Sequence, residues 1–323
     1  MVDKEYLWDF RDPYEWMERV RRSSFPPLIM CCAITGGVQG KESNPNLPET
    51  PEEQVEQTLA AYEAGATMVH IHARDPQKWY DGCGDPKQYR KLHKMIREAC
   101  PEIIINDTTG GTSGMTVEER LGCLDANPEV ATLNLGPDMY MYSIKERKPP
   151  LPHPRLEQHY DGCDTNTFGD VRAFAQRMKE RGIKAEMEIY NPGDFWLIDY
   201  VISEGLVEPP YLVQFVMGYQ SGIYPTPANA LNMMAELPRP CVFEIAGVAQ
   251  FQLPMNVLGL VLGAHIVRVG LEDNVYYRRG KLLKSNAEAV ERIVRIAKEM
   301  NREIATASQA REILGISQTP STY

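Results

Sequence analysis

Ala66-Thr-Met-Val-His-Ile-His-Ala-Arg-Asp75 is the stretch from which the chain is best read. A short apolar run of strand length ends on His70 and His72, and the strand period of two turns both imidazoles to one face. Two neutral imidazoles side by side make half a metal site. A catalytic zinc typically takes three protein ligands and keeps a fourth position open for water or substrate. His-x-His on a strand also occurs as two hydrogen-bonded, metal-free histidines, so the rest of the chain has to decide between the two.

Outward from this stretch, short β-rich runs alternate with longer amphipathic segments. Strands are predicted at Leu28–Ile34, Thr67–His72, Glu102–Asn106, Val130–Asn134, Lys184–Ile189, Tyr211–Val216, Cys241–Ile245 and His265–Val269. Helices are predicted at Thr50–Ala64, Pro86–Ala99, Thr116–Ala126, Phe168–Arg181, Asn229–Glu236 and Ala287–Asn301. In the first of these Thr50 caps and Pro51 occupies the first turn. Strict alternation implies a parallel sheet, and eight strand–helix units imply an α/β (βα)8 TIM barrel, with a doubly wound open sheet as the alternative. Residues 28–323 then form one catalytic barrel domain. Residues 1–27 are an N-terminal extension whose Tyr14–Arg22 reads as a short helix covering the barrel bottom or a subunit contact. The segment from Pro137 to about Asn166 is a long loop after strand four, expected to act as a functional lid.

A chain of 323 residues with 43% apolar content can bury a barrel core. Its formal charge of −10, without a basic block, argues against nucleic acid as a partner. Seven cysteines, an odd number with Cys31 and Cys32 adjacent, form no disulfide framework or CxxC pair, so reduced thiols and a cytoplasmic location are expected. No signal-peptide pattern or membrane-spanning apolar stretch is present in the sequence.

Barrel enzymes place their chemistry at the C-terminal ends of the strands. Here those ends carry Thr35-Gly36-Gly37, His70/His72, Thr108-Thr109-Gly110-Gly111, Thr132/Asn134, Glu186/Glu188, Gln214, Glu244 and Arg268–Asp273. Thr35, Asn134 and Glu186 are candidates for substrate contact. Glu186 and Glu188 repeat the i, i+2 spacing of the histidines and should face the interior, either as acid–base groups or in ion pairs with Arg74, Arg268 or Lys184. Glu272 or Asp273 could complete a His₂–carboxylate zinc site, and Glu244 and Glu188 compete for that role.

The ordered series His70-Ile-His72, Asn106-Asp-Thr-Thr-Gly-Gly111, Ala131-Thr-Leu-Asn-Leu-Gly136, Glu186-Met-Glu188, Gln214-Phe-Val-Met-Gly218 and Arg268-Val-Gly-Leu-Glu-Asp-Asn274 resembles the β-keto acid cleavage enzymes. Gly280, Ser285-Asn-Ala287 and Ala305-Thr-Ala-Ser-Gln-Ala-Arg-Glu-Ile-Leu314 extend the likeness, which spans about residues 28–315. The resemblance implies a zinc-dependent barrel, usually a homo-oligomer, that condenses a β-keto acid with acetyl-CoA and gives acetoacetate and a new acyl-CoA. Carried over residue by residue, it implies metal ligation by His70, His72 and Glu272. It implies an Arg268–Asp273 pair in proton abstraction, a further catalytic carboxylate at Glu188, and substrate contacts at Thr108, Gly111 and Thr132. Asp273 or Glu188 could carry the proton.

Three departures stand out. Val38, followed by Gln39, stands where family members have an acidic residue that meets a substrate amino group, which argues against an amino-substituted substrate. Gly247-Val-Ala-Gln250 replaces Gly-Ile-Gly-Arg and removes an arginine contact. The eighth strand is one residue longer before Arg268, although the Arg268–Asp273 spacing is kept. A metal-dependent hydrolase is the first alternative, but it would need more histidines on late strands than His265. A non-catalytic barrel that senses a keto acid or acyl-CoA is the second. His265 is expected to pack under a helix, His93 lies in the helix after strand two, and His153 and His159 are expected in solvent. In the long loop, Tyr140, Tyr142 and the Lys145–Lys148 cluster with Arg147 could meet substrate or CoA phosphates.

Overall fold

The computed structural model describes residues 5–112 and 114–323. Twelve strands form in these segments: β1 (Ile29–Ala33), β2 (Met68–Ile71), β3 (Ile104–Asp107), β4 (Val130–Asn134), β5 (Asp138–Ile144), β6 (Gln158–Asp164), β7 (Lys184–Ile189), β8 (Tyr211–Met217), β9 (Cys241–Gly247), β10 (Ile266–Val269), β11 (Tyr276–Arg278) and β12 (Lys281–Leu282). Eight of them close into a parallel barrel in the order β1-β10-β9-β8-β7-β4-β3-β2. Closure is made by β1 against β10, where Ile29 faces Ile266 and Cys32 faces Val269. That pairing rules out the open-sheet alternative.

Around the barrel run α1 (Pro13–Arg22), α2 (Pro51–Glu63), α3 (Pro86–Ala99), α4 (Val117–Leu121), α5 (Phe168–Arg181), α6 (Phe195–Ser203), α7 (Pro227–Ala235), α8 (Gln252–Leu262), α9 (Asn286–Glu299) and α10 (Ala307–Leu314). Local chemistry starts several of them. Thr50 and Thr116 form capping boxes with Glu53 and Glu119, and Thr167 forms one with Asp170. Three helices, α6, α8 and α10, were not expected. The α6 segment is almost wholly apolar and shows no helical stripe, while α8 carries Pro254 and Gly259. Pro254 sits in the first turn, where its missing N–H costs nothing. Gly259 lets α8 press on the sheet, since a Cβ there would lie 2.3 Å from the Ile245 side chain. Among the described residues no helix is long and apolar enough to cross a membrane, and all seven cysteines are free.

Period two sorts the barrel interior into layers. The floor is apolar: Ile29, Cys31, Met68, Ile104, Val130, Leu212, Val242 and Ile266 form one buried cluster with Ala310, Ile313 and Leu314 of α10, and Tyr6 and Leu7 pack against it from below. His265 lies at this end, one residue before inward-facing Ile266. Its Nε2 lies 2.7 Å from the Tyr6 carbonyl, and its Nδ1 accepts from the Phe243 amide. Two residues further along the strands come His70, Asn106, Thr132, Glu186, Gln214, Glu244 and Arg268, each 5% exposed or less.

The expected loop after β4 is largely ordered as a ribbon. Strands β5 and β6 pair antiparallel, with Asp138 facing Asp164 and Ile144 facing Gln158. Its tip is anchored, and this corrects the expectation of a phosphate-binding Arg147. The guanidinium is fully buried, holding Glu49 through both terminal nitrogens (2.7 and 2.8 Å) and Glu42 at 2.8 Å. Arg155 closes on Glu42 as well, at 2.8 Å, and lies over the Tyr80 ring. Lys148 is exposed and paired with Glu146.

Candidate active site

Glu272 owes its position to a glycine. After β10 the chain turns at Gly270 (φ +132°), where a Cβ would lie 2.0 Å from the Ala33 carbonyl oxygen, so only glycine fits. The turn lays the Glu272 amide 3.2 Å from that same carbonyl and carries the side chain to the mouth of β2. Gly36 leaves the room, since a Cβ there would come within 3.0 Å of Glu272 Cγ. Two hundred residues apart in sequence, Glu272 and the His70/His72 pair become neighbours.

The three side chains converge. His70 Nε2 and His72 Nε2 are 3.3 Å apart, His72 Nε2 is 3.2 Å from Glu272 Oε1, and His70 Nε2 is 3.6 Å from Glu272 Oε2. They form a cluster of potential metal ligands, all donor atoms lying within 4.8 Å of one another. Glu272 Oε2 is buried with no hydrogen-bond partner. Burial pushes the His70 imidazole down to about 3, which keeps it neutral and able to ligate. Burial opposes the charge on Glu272, but Arg268, His72 and His70 outweigh it and hold the carboxyl well below the usual range. Two imidazoles and a carboxylate with an orphaned oxygen fit a zinc ion bound at about 2.0–2.2 Å.

Arg268 is the hub beside this cluster. It grips Asp273 with Nε (3.0 Å) and Nη2 (2.9 Å), touches Glu272 at 2.7 Å, and lies 3.5 Å from Glu188. Burial works against its charge, yet Asp273, Glu272 and Glu188 together push the guanidinium pKa further up. Of the carboxylates that competed to be third ligand, Asp273 is turned to Arg268 and Glu188 is held by Asn134 Nδ2 and by the Tyr190 hydroxyl (3.3 Å). Burial, only partly offset by Arg268, pushes Glu188 up to about 8. Glu244 lies one layer deeper against Glu186. Burial raises both, and the neighbouring Glu186 raises Glu244 further, so the pair holds a proton on Glu244.

A cavity of about 490 Å³ lies over these groups, lined by His70, His72, Thr108, Gly110, Gly111, Asn134, Glu188, Arg268, Glu272 and Asp273. Thr35, Thr132 and Glu186 are not on its wall. The Thr35 hydroxyl accepts from Arg74. Thr132 supports the Thr108–Gly111 turn, its hydroxyl accepting from the Thr109 amide at 3.0 Å and its carbonyl from the Thr109 hydroxyl at 2.6 Å. Glu186 accepts from Asn106 at 2.9 Å. Arg74 and Lys184 take no part in holding the two glutamates; Lys184 reaches the Pro210 carbonyl at the opposite end. Sequence reasoning missed Tyr190, which continues the inward series two residues after Glu188. It also missed the buried His93–Asp107 pair at 2.8 Å, which follows from Asp107 facing away from the barrel interior next to inward Asn106.

Residues 27–316 match the family model described as beta-keto acid cleavage enzyme. The chain belongs to that family. It is 39% identical over 295 residues to the 3-keto-5-aminohexanoate cleavage enzyme of Fusobacterium nucleatum, covering 90% of this chain and 98% of the relative. It is 33% identical over 305 residues to the 3,5-dioxohexanoate:acetyl-CoA acetone transferase of Paraburkholderia graminis, covering 91% and 97%. Among solved structures, apo ObcA shares the fold at a TM-score of 0.67 and 18% identity, over 84% of this chain and 66% of ObcA. This family member brings His70, His72, Glu188, Arg268, Glu272 and Asp273 to one cavity.

Proposed function

We propose that this chain is a zinc-dependent enzyme that condenses a β-keto acid with acetyl-CoA and releases acetoacetate and a new acyl-CoA. The observation that carries this reading is the meeting of His70, His72 and Glu272 with the Arg268–Asp273 pair on one cavity wall. Acetyl-CoA as co-substrate is supported by the Paraburkholderia relative, whose name specifies it. Bound by His70, His72 and Glu272, zinc would act as a Lewis acid on the keto acid's oxygens and acidify the carbon between its carbonyl and carboxylate.

Asp273 takes that proton. Its two oxygens are pinned by Arg268, which orients the carboxylate; burial raises its pKa against the pull of Arg268 and so makes it a stronger base. The carbanion attacks the acetyl carbonyl and expels the CoA thiolate; the thiolate adds to the substrate's own keto carbon, and C–C cleavage gives the new acyl-CoA and the acetoacetate carbanion, to which Asp273 returns the proton. Protons and thiol therefore balance without a further reagent. Glu188 accepts from Asn134 and Tyr190 at Oε2, while Oε1, only loosely approached by Arg268 Nη1 at 3.5 Å, is the oxygen that carries a proton at neutral pH and donates to the oxyanion that develops at the keto carbon. Thr108 and the Gly110–Gly111 turn line the cavity where the substrate would lie.

The test is metal content together with product analysis. The purified protein should hold stoichiometric zinc, and mixing it with acetyl-CoA and short β-keto acids should yield acetoacetate and a new thioester. Zinc-loaded protein that forms neither product across a broad panel overturns the reading.

A further inference from the structure

Beyond Asn134 and Gly111 the cavity continues into a second chamber of about 530 Å³, walled by the base of the β5–β6 ribbon and the turns after β7 and β8. Tyr140, Tyr142, Tyr190 and Tyr219 all line it. Tyr140 and Tyr142 lie 5.4 Å apart between ring centroids, and Tyr190 and Tyr219 lie 5.3 Å apart. Val38, on the first-strand side, is shared by both chambers and is apolar.

The charges in this chamber do not balance. Asp138 and Asp164 line it and are direct cross-strand partners, an arrangement of like charges that costs stability. Asp194 adds a third carboxylate nearby, but it is satisfied by the backbone amides of Tyr190 (2.8 Å) and Asn191 (2.9 Å). One cation, Arg120, faces the chamber. It is committed to the Thr109 carbonyl at 2.7 Å, to Asn166 Oδ1 at 2.9 Å and to the Phe174 ring, and its field favours the charge on Asp164. Asp138 has no such compensation. It is 5% exposed and its Oδ1 has no hydrogen-bond partner. Burial, with Asp194 and Asp164, pushes it up to about 8. At neutral pH Asp138 therefore holds a proton, and a cation beside it would favour the charged form and pair with it. Tyrosine rings attract an ammonium group through their negative faces.

We propose that the second chamber receives the distal end of the β-keto acid, and that this end carries an ammonium cation held by Asp138 among the tyrosine rings. The proposal rests on the keto acid reading above and names its substrate class. It places the anionic recognition group on the ribbon and not beside β1, where Val38 offers none.

The experiment uses two β-keto acids of the same shape, one ending in a trimethylammonium group and the other in tert-butyl, titrated calorimetrically into zinc-loaded protein without acetyl-CoA. The cationic acid is expected to bind on the order of tenfold more tightly, about 1.4 kcal/mol. Asp138→Asn should bring the two affinities to within about twofold, as expected when the charge term is removed. Because the readout is a ratio, a general weakening of the variant cancels. Should Asp138→Asn fail to fold, Tyr219→Leu carries the same comparison and should narrow the gap. Equal affinities in the wild type, or tighter binding of the tert-butyl acid, overturn the proposal. Adding acetyl-CoA separates it from the reaction: cation preference without acetoacetate overturns the chemistry alone, and acetoacetate without cation preference overturns this inference alone.

Discussion

The two ends of the continuous cavity treat carboxylates in opposite ways. At the inner end Glu272, Asp273 and Glu188 crowd around Arg268 and two imidazoles, and nearly every oxygen has a partner. At the outer end Asp138 and Asp164 oppose each other across a ribbon, and the guanidinium that faces them, Arg120, favours the charge on Asp164 and leaves Asp138 uncompensated. The inner end is built to hold charge in a fixed geometry for chemistry. The outer end is built with a deficit that a ligand can fill, so recognition and reaction are separated along one channel.

The most damaging change to the inner end is His70→Ala. It should remove bound zinc and activity together, read by metal analysis and by acetoacetate formation. Full metal occupancy in that variant would break the ligand assignment. Asp273→Asn comes next. It keeps the shape and should keep the zinc, yet turnover should fall about 10²–10⁴-fold because the amide cannot take a proton. Near-normal turnover would remove Asp273 as the base.

Between the two ends, the tip anchor of the ribbon can be cut. Arg147→Ala leaves Glu49 and Glu42 with less compensation in a buried site and should cost about 3–5 kcal/mol in denaturant unfolding. A change below about 1 kcal/mol, the size of a surface pair, would show that the anchor is not held this way. The smallest effect expected is a pH dependence. Glu188, raised to about 8, is protonated below that pH and should donate there, so kcat should fall severalfold as pH rises through about 8. Glu188→Gln keeps an N–H donor and has no proton to lose, so its alkaline limb should flatten. An unchanged alkaline limb in Glu188→Gln would assign that titration elsewhere.

Much of the architecture was legible because a parallel barrel repeats one local pattern. Eight apolar runs gave the eight barrel strands, with ends that differ by a residue or two, as at Glu102–Asn106 against Ile104–Asp107. The helices α6 and α8 escaped because one is apolar on every face and the other contains proline and glycine. The ribbon escaped because its two strands are separated by thirteen residues and are held by a buried arginine that sequence reads as a surface cation. The same ribbon changes the expectation drawn from Val38. Losing an acid beside the first strand removes one seat for an amino group, and Asp138 offers another that no local pattern announces.

By itself the sequence determined which side chains face inward, since period two along a strand is local stereochemistry and needs no partner. His70 with His72, and Glu186 with Glu188, were placed on their faces before any fold was known. Tertiary structure alone decided which of four acidic candidates meets the histidines. That choice depends on a turn at Gly270 and on the room left by Gly36, contacts between segments more than two hundred residues apart. It also decided that Asp138, and not a residue near β1, presents an unpartnered buried oxygen to the outer chamber, because charge balance is a property of everything packed around a group and not of its neighbours in the chain.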